Sequence, residues 1–446
     1  MLSLQAAKLL QNHGRAIIRR KNVRPVLRKK HSHQMRSSQR IVTLTRNTCT
    51  ATSRVYSGFN HRWLQTRSSS ISDFKVNNQY LEISHQGRLL KVNNIWLREH
   101  CRCMECFNHT THQREVDIRS LNVDIVPKQV VLETTGNGKQ LCIVWPDGHQ
   151  STYSFDWMVN NICTGTNLSD LSKMLRLWDA KRLEDSPPVT VSFGKYISGD
   201  EHLKMVLQNL AEYGFAIVTD TPATIEHTQK VAERISIIRE TLYGKMYSFT
   251  NELEYADTAY SSVALRAHTD TTYFSEPSGL QVFHCISHDG DGGKTLLVDG
   301  FQAAQTLKHQ HPEYYQILSQ VNLSHRFIDN INNFCFEGIG PILQHHPLTR
   351  ELICIRFNTY DRSTITHLES EDVYNFYQAL SALAEQIASE KNEFWIKLWP
   401  GSVLIVDNWR VLHGRSSYTG NRKVCGCYLP RDDLISRYRT LLNISV

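Results

Sequence analysis

The first acidic residue of the chain is Asp73. Residues 1–72 hold fifteen Lys and Arg and no Asp or Glu, and a stretch so rich in one charge repels itself and stays out of a packed core. The folding body therefore starts near residue 73. It carries 35 basic against 43 acidic residues, a net of −8, although the whole chain is +7. That reversal argues against nucleic acid as a partner of the body. The leader opens "MLSLQAAKLLQNHGRAIIRRKNVRPVLRKK", with Leu2, Leu9, Leu10, Ile17 and Ile18 set among basic residues, and continues into a Ser/Thr-rich run. This composition predicts a mitochondrial transit peptide over 1–72, cleaved near "QTRSSSIS". A disordered basic arm for RNA or anionic lipid is the alternative. No apolar run reaches 18 residues, so no membrane span is expected.

The body divides by pattern. Residues 73–167 read as short strands ("YLEISH", "LLKVNNIWL", "VVLETT", "LCIVWP") broken by turn signals at Gly136-Asn-Gly138 and Pro146-Asp-Gly148. Residues 168–188 contain a polar helix-like piece ending at Pro187-Pro188, and a linker is expected there. From 189 to 446, helices such as "DEHLKMVLQNLAEY", closed by Gly214, "TIEHTQKVAERISIIRETLYG", "FQAAQTLKHQHPEYYQILSQ" and "SEDVYNFYQALSALAEQIASEKN" alternate with strands "FAIVTD", "LQVFHCIS", "KTLLVDG", "ELICIRFN", "SVLIVDN" and "KVCGCYL". The turn "HDGDGG" predicts a hairpin between "LQVFHCIS" and "KTLLVDG". The whole reads as mainly β with flanking helices: a double-stranded β-helix, or jelly-roll, catalytic domain behind a small N-terminal zinc-binding β domain. No dinucleotide or phosphate-loop glycine motif is present.

Three groups of residues carry chemistry. In "WLREHCRCMECFNH", Cys101, Cys103 and Cys106 can wrap one tetrahedral ion, with His100, His109, His112 or the distant His149 as the fourth ligand. The chain has 11 cysteines, and in a reducing compartment such a cluster points to structural zinc before disulfides. The alternatives are three free thiols or a redox trio.

The second group is His268-Thr269-Asp270. On a strand, i and i+2 share a face, so both side chains can reach one ion, and His413 in "VDNWRVLHGR" completes two His and one carboxylate. That set holds non-haem Fe(II) and leaves positions open for O₂ and a chelating cosubstrate. Arg422, on the following strand, can form a bidentate pair with the far carboxylate of 2-oxoglutarate, and Thr295 can add a hydroxyl. A surface cation and an ordinary strand Thr are the plainer readings of those two. The third group is Tyr243, Tyr247, Tyr260 and Tyr428, in segments bracketing the ligands. Each is an ordinary core residue singly; together they can box a quaternary ammonium by cation–π attraction.

Taken together, "WLREHCRCMEC", "WPDGH", "HTDTTYF", "GGKTLLVDGF" and "DNWRVLHGR…GNRKVCGCYLPRDD" resemble the γ-butyrobetaine/trimethyllysine dioxygenase family of Fe(II)/2-oxoglutarate oxygenases, from about residue 75 to the C-terminus. The resemblance implies structural zinc on Cys101, Cys103, Cys106 and His149, iron on His268, Asp270 and His413, and 2-oxoglutarate on Arg422. It also implies a trimethylammonium cage from Tyr243, Tyr247, Tyr260 and Tyr428. Asp257 is expected at the substrate ammonium or the cosubstrate, with a solvated loop Asp as the alternative. The butyrobetaine branch has Tyr directly after the HTD Asp; this chain has Thr271, which is similar to the trimethyllysine branch, as is the leader. The implied activity is 3-hydroxylation of N6,N6,N6-trimethyllysine with O₂ and 2-oxoglutarate, yielding succinate and CO₂, the first step of carnitine biosynthesis. L-ascorbate would keep the iron reduced, and the location would be the mitochondrial matrix. Partners are a small-molecule substrate, with room for a homodimer. The rival readings are γ-butyrobetaine hydroxylation, a metallohydrolase on the same ligands, and an inactive zinc-stabilised binding protein.

Overall fold

Strand alternation sets up two sheets whose inner faces meet. In the strand Thr295–Asp299 all five residues are buried. Leu296 and Val298 face one way, into helices, while Leu297 faces the other, into the second sheet. The strand Val403–Asp407 repeats the pattern: Val403 and Ile405 meet helices, and Leu404 and Val406 meet Leu297. A strand covered on both faces reads as a continuous apolar run, and "VLIVD" is one.

The computed structural model describes residues 74–85, 88–136, 138–162, 170–249 and 261–443. The leader, Asp257 and Tyr260 lie outside the described residues. The larger sheet has six strands in the order Tyr247–Phe249, Arg422–Leu429, Leu280–His288, Val403–Asp407, Phe215–Thr219 and Val191–Ser192. The smaller has four: Leu265–His268, Val411–Arg415, Thr295–Asp299 and Phe394–Ile396. Helices Asp200–Tyr213, Ile225–Ile235 and Arg431–Leu441 cover the outer face of the large sheet. Gly300–Gln310, Pro312–Gln320 and Ser370–Ile387 cover that of the small one. The fold is mainly β with helices outside, a jelly-roll. No helix among the described residues is long and apolar enough to cross a membrane.

The N-terminal part has its own core of Leu81, Ile83, Leu97, Leu141, Ile143, Trp145 and Tyr153. It is built on two three-stranded sheets, Phe74–Val76, Tyr80–His85 and Arg88–Asn93, then Gln129–Thr135, Gly138–Val144 and Gln150–Ser154. The expected strand "LLKVNNIWL" stops at Asn93, whose side chain accepts from the Ile95 amide and starts the helix Asn94–Glu99.

Several other expectations change. The "HDGDGG" turn is not a hairpin: Leu280–His288 belongs to the large sheet and Thr295–Asp299 to the small one. The turn crosses between sheets and packs on residues 416–421. A Cβ on Gly290 would lie 2.0 Å from the Thr419 carbonyl oxygen, and one on Gly292 2.1 Å from that of Ser417, so these glycines serve close backbone approach. The helix expected through Gly244 ends at Ile235. Beyond it the Arg239 amide donates to the Tyr428 carbonyl, so the chain runs along the sheet instead. The single helix expected over 301–320 is two, because Pro312 starts a new one. The helix-like piece expected in the 168–188 segment is present as the short helices Asp170–Met174 and Ala180–Asp185, but the segment also buries Trp178 and Leu183.

One buried ion pair ties these parts together. Asp299 and Arg410 have side-chain exposures of 0% and 1% and a contact of 2.8 Å. Asp299 also accepts from the Phe301 and Trp178 amides, and Arg410 donates to the carbonyls of Glu212 and Arg176. Removing one member of such a pair leaves the other charge buried and uncompensated. Asp299→Asn is expected to destabilise the fold by about 3–5 kcal/mol, seen as a lower urea midpoint at unchanged slope.

Candidate active site

His268 and His413 are direct Cα partners on the antiparallel pair Leu265–His268 and Val411–Arg415. Opposed residues on such a pair point to the same face, and the two rings lie with centroids 4.6 Å apart. His413 therefore sits mid-strand, one strand after "SVLIVDN". Asp270 is not on the strand with His268, as i, i+2 alternation supposed; the strand ends at His268. What aims Asp270 is Asn408. Its side-chain oxygen accepts the Asp270 amide at 2.8 Å, and its amide nitrogen donates to the carbonyls of Asp270 (3.0 Å) and Ser278 (2.9 Å). Thr271 then takes the left-handed conformation, φ 56°, rare for a β-branched residue. Its hydroxyl oxygen accepts the Ser278 amide at 2.8 Å. The result places Asp270 Oδ1 at 3.2 Å from His268 Nε2 and 3.7 Å from His413 Nε2.

The protonation states suit a cation. His268 Nδ1 lies 2.7 Å from the Arg266 carbonyl oxygen, which can only accept, so Nδ1 carries a proton and Nε2 is the atom turned to Asp270. Burial, helped by the charge of His268, pushes His413 down to about 3, with Asp270 opposing. Burial would raise Asp270, but the hydrogen bond with His268, the nearby imidazoles and the Tyr428 hydroxyl hold it well below the usual carboxylate range. The other oxygen, Oδ2, accepts from Gln281 Nε2 at 2.5 Å and Tyr428 Oη at 2.7 Å. Two imidazoles and one carboxylate, with ligand atoms all within 4.8 Å of one another, fit a divalent ion of the facial-triad kind.

These residues open on a cavity of about 300 Å³. One wall is aromatic: Tyr243, Tyr273, Phe327 and Tyr428. The Tyr243 and Tyr273 hydroxyls are 3.2 Å apart, and Tyr273 stacks on Phe327 at 5.0 Å. Tyr247 stands behind this wall, 5.2 Å from the Tyr428 ring, with its hydroxyl donating to the Val282 carbonyl at 3.3 Å. Another part is basic: Arg415 and Arg422 line the cavity beside Thr295, the cross-strand partner of Arg415. Both guanidinium groups sit near the Tyr418 ring, at 4.9 and 5.5 Å. Burial lowers the Arg422 pKa, and no carboxylate among the described residues forms an ion pair with it.

Sequence reasoning missed Gln281, Asn408, Tyr273 and Phe327. Asn408 and Tyr273 stand inside quoted motifs, so proximity to the ligands was an unused signal. Nothing local marks Phe327, which reaches the wall from the hairpin Asn322–Asp329 with Phe334–Pro341.

In the N-terminal part His149 Nε2 lies 3.3, 3.6 and 3.5 Å from the sulfurs of Cys101, Cys103 and Cys106. The knuckle Cys103–Phe107, with the Cys106 amide donating to the Cys103 carbonyl at 3.1 Å, supplies the cysteines. The turn after Val144, closed by Gly148 at φ 86°, brings His149. Burial and the charges of the neighbouring thiols push Cys106 up to about 12, against its hydrogen bond from Arg98. Three sulfurs crowded in this way fit a cation that neutralises them as thiolates.

The comparisons agree with this layout. The family model described as "Taurine catabolism dioxygenase TauD, TfdA family" matches residues 180–428, and "Gamma-butyrobetaine hydroxylase-like, N-terminal" matches residues 73–159. The mitochondrial trimethyllysine dioxygenase of Mus musculus is 44% identical over 383 residues, covering 85% of this chain and 90% of that protein. The chain belongs to the trimethyllysine dioxygenase family. The Homo sapiens member is 43% identical over 383 residues, with the same coverage of both chains. The gamma-butyrobetaine dioxygenase of Homo sapiens is 28% identical over 357 residues, 78% of this chain and 90% of that one.

Asn408 is the brace behind the Asp270 carboxylate, the candidate ligand. Groups that orient metal ligands typically matter about 10–100-fold in metal affinity. Asn408→Ala is expected to weaken Mn(II) binding by that order with His268, Asp270 and His413 intact, as measured by isothermal titration calorimetry.

Proposed function

We propose that this protein is a mitochondrial matrix dioxygenase that hydroxylates N6,N6,N6-trimethyllysine at C3, the first step of carnitine biosynthesis. The observation that carries the reading is the meeting, in one cavity, of the His268–Asp270–His413 donor set with an aromatic wall and the Arg422 guanidinium. The similarity points the same way, since identity to trimethyllysine dioxygenases reaches 44% against 28% for the butyrobetaine enzyme. Thr271 in place of Tyr is a further difference from the butyrobetaine branch.

The residues divide the work. His268, Asp270 and His413 would hold Fe(II), which supplies activation of O₂ coupled to decarboxylation of 2-oxoglutarate. Arg422 would pair with the far carboxylate of 2-oxoglutarate, and Thr295 would donate its hydroxyl to the same group. The Tyr428 hydroxyl and Gln281 keep Asp270 Oδ2 engaged, so that Oδ1 stays turned toward the imidazoles. Tyr243, Tyr273, Phe327 and Tyr428 would face the trimethylammonium group, which has no N–H to donate and is attracted through the ring faces; Tyr247 braces Tyr428, and Tyr260 would complete the cage. Anchoring that end lets C3 stand over the metal, a proximity effect. Ascorbate would keep the iron reduced.

Around this 189–446 oxygenase domain, residues 73–167 would form a zinc-holding module with Cys101, Cys103, Cys106 and His149 as ligands, 168–188 the connection, and 1–72 the transit peptide. Asp257 would stand near the substrate. Butyrobetaine hydroxylation is the second reading; a metallohydrolase would not need 2-oxoglutarate, and a binding protein would form no succinate.

The test is product analysis by mass spectrometry with Fe(II), 2-oxoglutarate, ascorbate and both substrates. Hydroxytrimethyllysine with equimolar succinate, formed faster than hydroxybutyrobetaine, is expected. Faster butyrobetaine turnover, or product without 2-oxoglutarate, would refute the reading. Elemental analysis of the same protein should find zinc that Cys103→Ser removes.

A further inference from the structure

We infer that Gly293 is a positioning residue for Arg422. By carrying no side chain it leaves the place in which the stem of Arg422 lies, and so sets the reach of that guanidinium toward the far carboxylate of 2-oxoglutarate. The assignment rests on the role proposed above for Arg422.

The "HDGDGG" turn ends in a glycine unlike the other two. Gly290 and Gly292 face backbone carbonyls, whereas Gly293 faces side chains. A Cβ on Gly293 would lie 3.2 Å from Arg422 Nε, 3.3 Å from Arg422 Cδ and 3.1 Å from His288 Cε1. Contacts so close force a neighbour to give way. Gly293 is buried, although Gly292 and Lys294 on either side are exposed. Its φ of 61° lies in the left-handed region, and its amide donates to the Ser417 carbonyl at 3.0 Å, so the backbone has a fixed place.

Of the two neighbours, Arg422 is the one that must yield. His288 and Arg422 are Cα partners at the end of the ladder between Leu280–His288 and Arg422–Leu429, so their side chains share a face. The His288 ring is held at both nitrogens. Nε2 lies 3.3 Å from the Thr419 carbonyl oxygen, which can only accept, so Nε2 carries a proton. Nδ1 accepts from Lys397 Nζ at 2.9 Å, and Lys397 also donates to the Gly292 carbonyl. Lys397 thereby ties the ring to the turn. Burial, helped by the charges of Lys397 and Arg422, pushes the His288 pKa down, in keeping with a neutral ring that accepts at Nδ1. Arg422 instead extends to the cavity, so a shift of its stem is carried to the guanidinium. A bidentate pair needs both of its hydrogen bonds aligned, and such a shift spoils it.

The experiment compares wild type, Gly293→Ala and Gly293→Asn. Both variants add the Cβ, and Asn adopts the left-handed conformation more readily than Ala, so the pair separates crowding of Arg422 from backbone strain. Two keto acids are used: 2-oxoglutarate, and 2-oxopentanoate, which has a methyl group in place of the far carboxylate. Affinities are measured by calorimetry on the Mn(II)-loaded protein, beside the KM of each keto acid. Both variants are expected to bind 2-oxoglutarate about tenfold more weakly, with KM changed more than kcat, and 2-oxopentanoate within about threefold of wild type. Equal losses on both keto acids, a loss confined to Gly293→Ala, or no loss would overturn the assignment and leave the proposed function standing. Loss of the folded state in both variants would also overturn it, by showing that the turn serves the fold alone. A wild type that binds the two keto acids alike would instead overturn the role proposed for Arg422.

Discussion

The pairing of His268 with His413 across two antiparallel strands is the contact on which the site depends. The two residues are 145 positions apart in the chain, and the small sheet makes them Cα partners. Their side chains then share a face because of strand geometry alone. Asp270 has to join them from outside the strand, and the chain achieves this with a clamp: Asn408 from the turn before the His413 strand grips the Asp270 backbone on both sides. Both braces come from the segment 408–413, so the ligand that starts on a different strand is positioned by the partner strand's own approach. The buried Asp299–Arg410 pair anchors that same segment two residues further along.

Much of this was legible in the chain. Apolar runs covered on both faces marked the central strands, Gly214 ended its helix in the left-handed conformation, and the side chains of His268, Asp270 and His413 converge as the motifs implied. What was not legible has a common cause. Periodicity reports which face of an element is covered, but not which sheet a strand joins. The "HDGDGG" turn looked like a hairpin because glycines in a tight turn and glycines under a neighbouring backbone look alike in a sequence. Asp270 was read as a strand residue for a similar reason: alternation fits the letters, while the hydrogen bonds of Asn408 and the positive φ of Thr271 leave no trace in them. Phe327 was invisible because it enters the cavity from a hairpin with no motif of its own.

The cavity separates its chemistries by wall. Aromatic faces suit a cation that has no N–H to donate. Arg415 and Arg422 with Thr295 suit a dicarboxylate. In the proposed reading His268, Asp270 and His413 lie among these walls, and holding the ends of a flexible chain decides which carbon stands at the reacting point.

The most direct measurement is an anaerobic titration of the protein with Fe(II) and then 2-oxoglutarate, following the visible absorption of a keto acid chelated to ferrous iron. The account predicts that the absorption appears with one iron per chain in the wild type and is lost in His413→Ala, whose strand partner can no longer complete the donor set. The same absorption at the same stoichiometry in His413→Ala would contradict it.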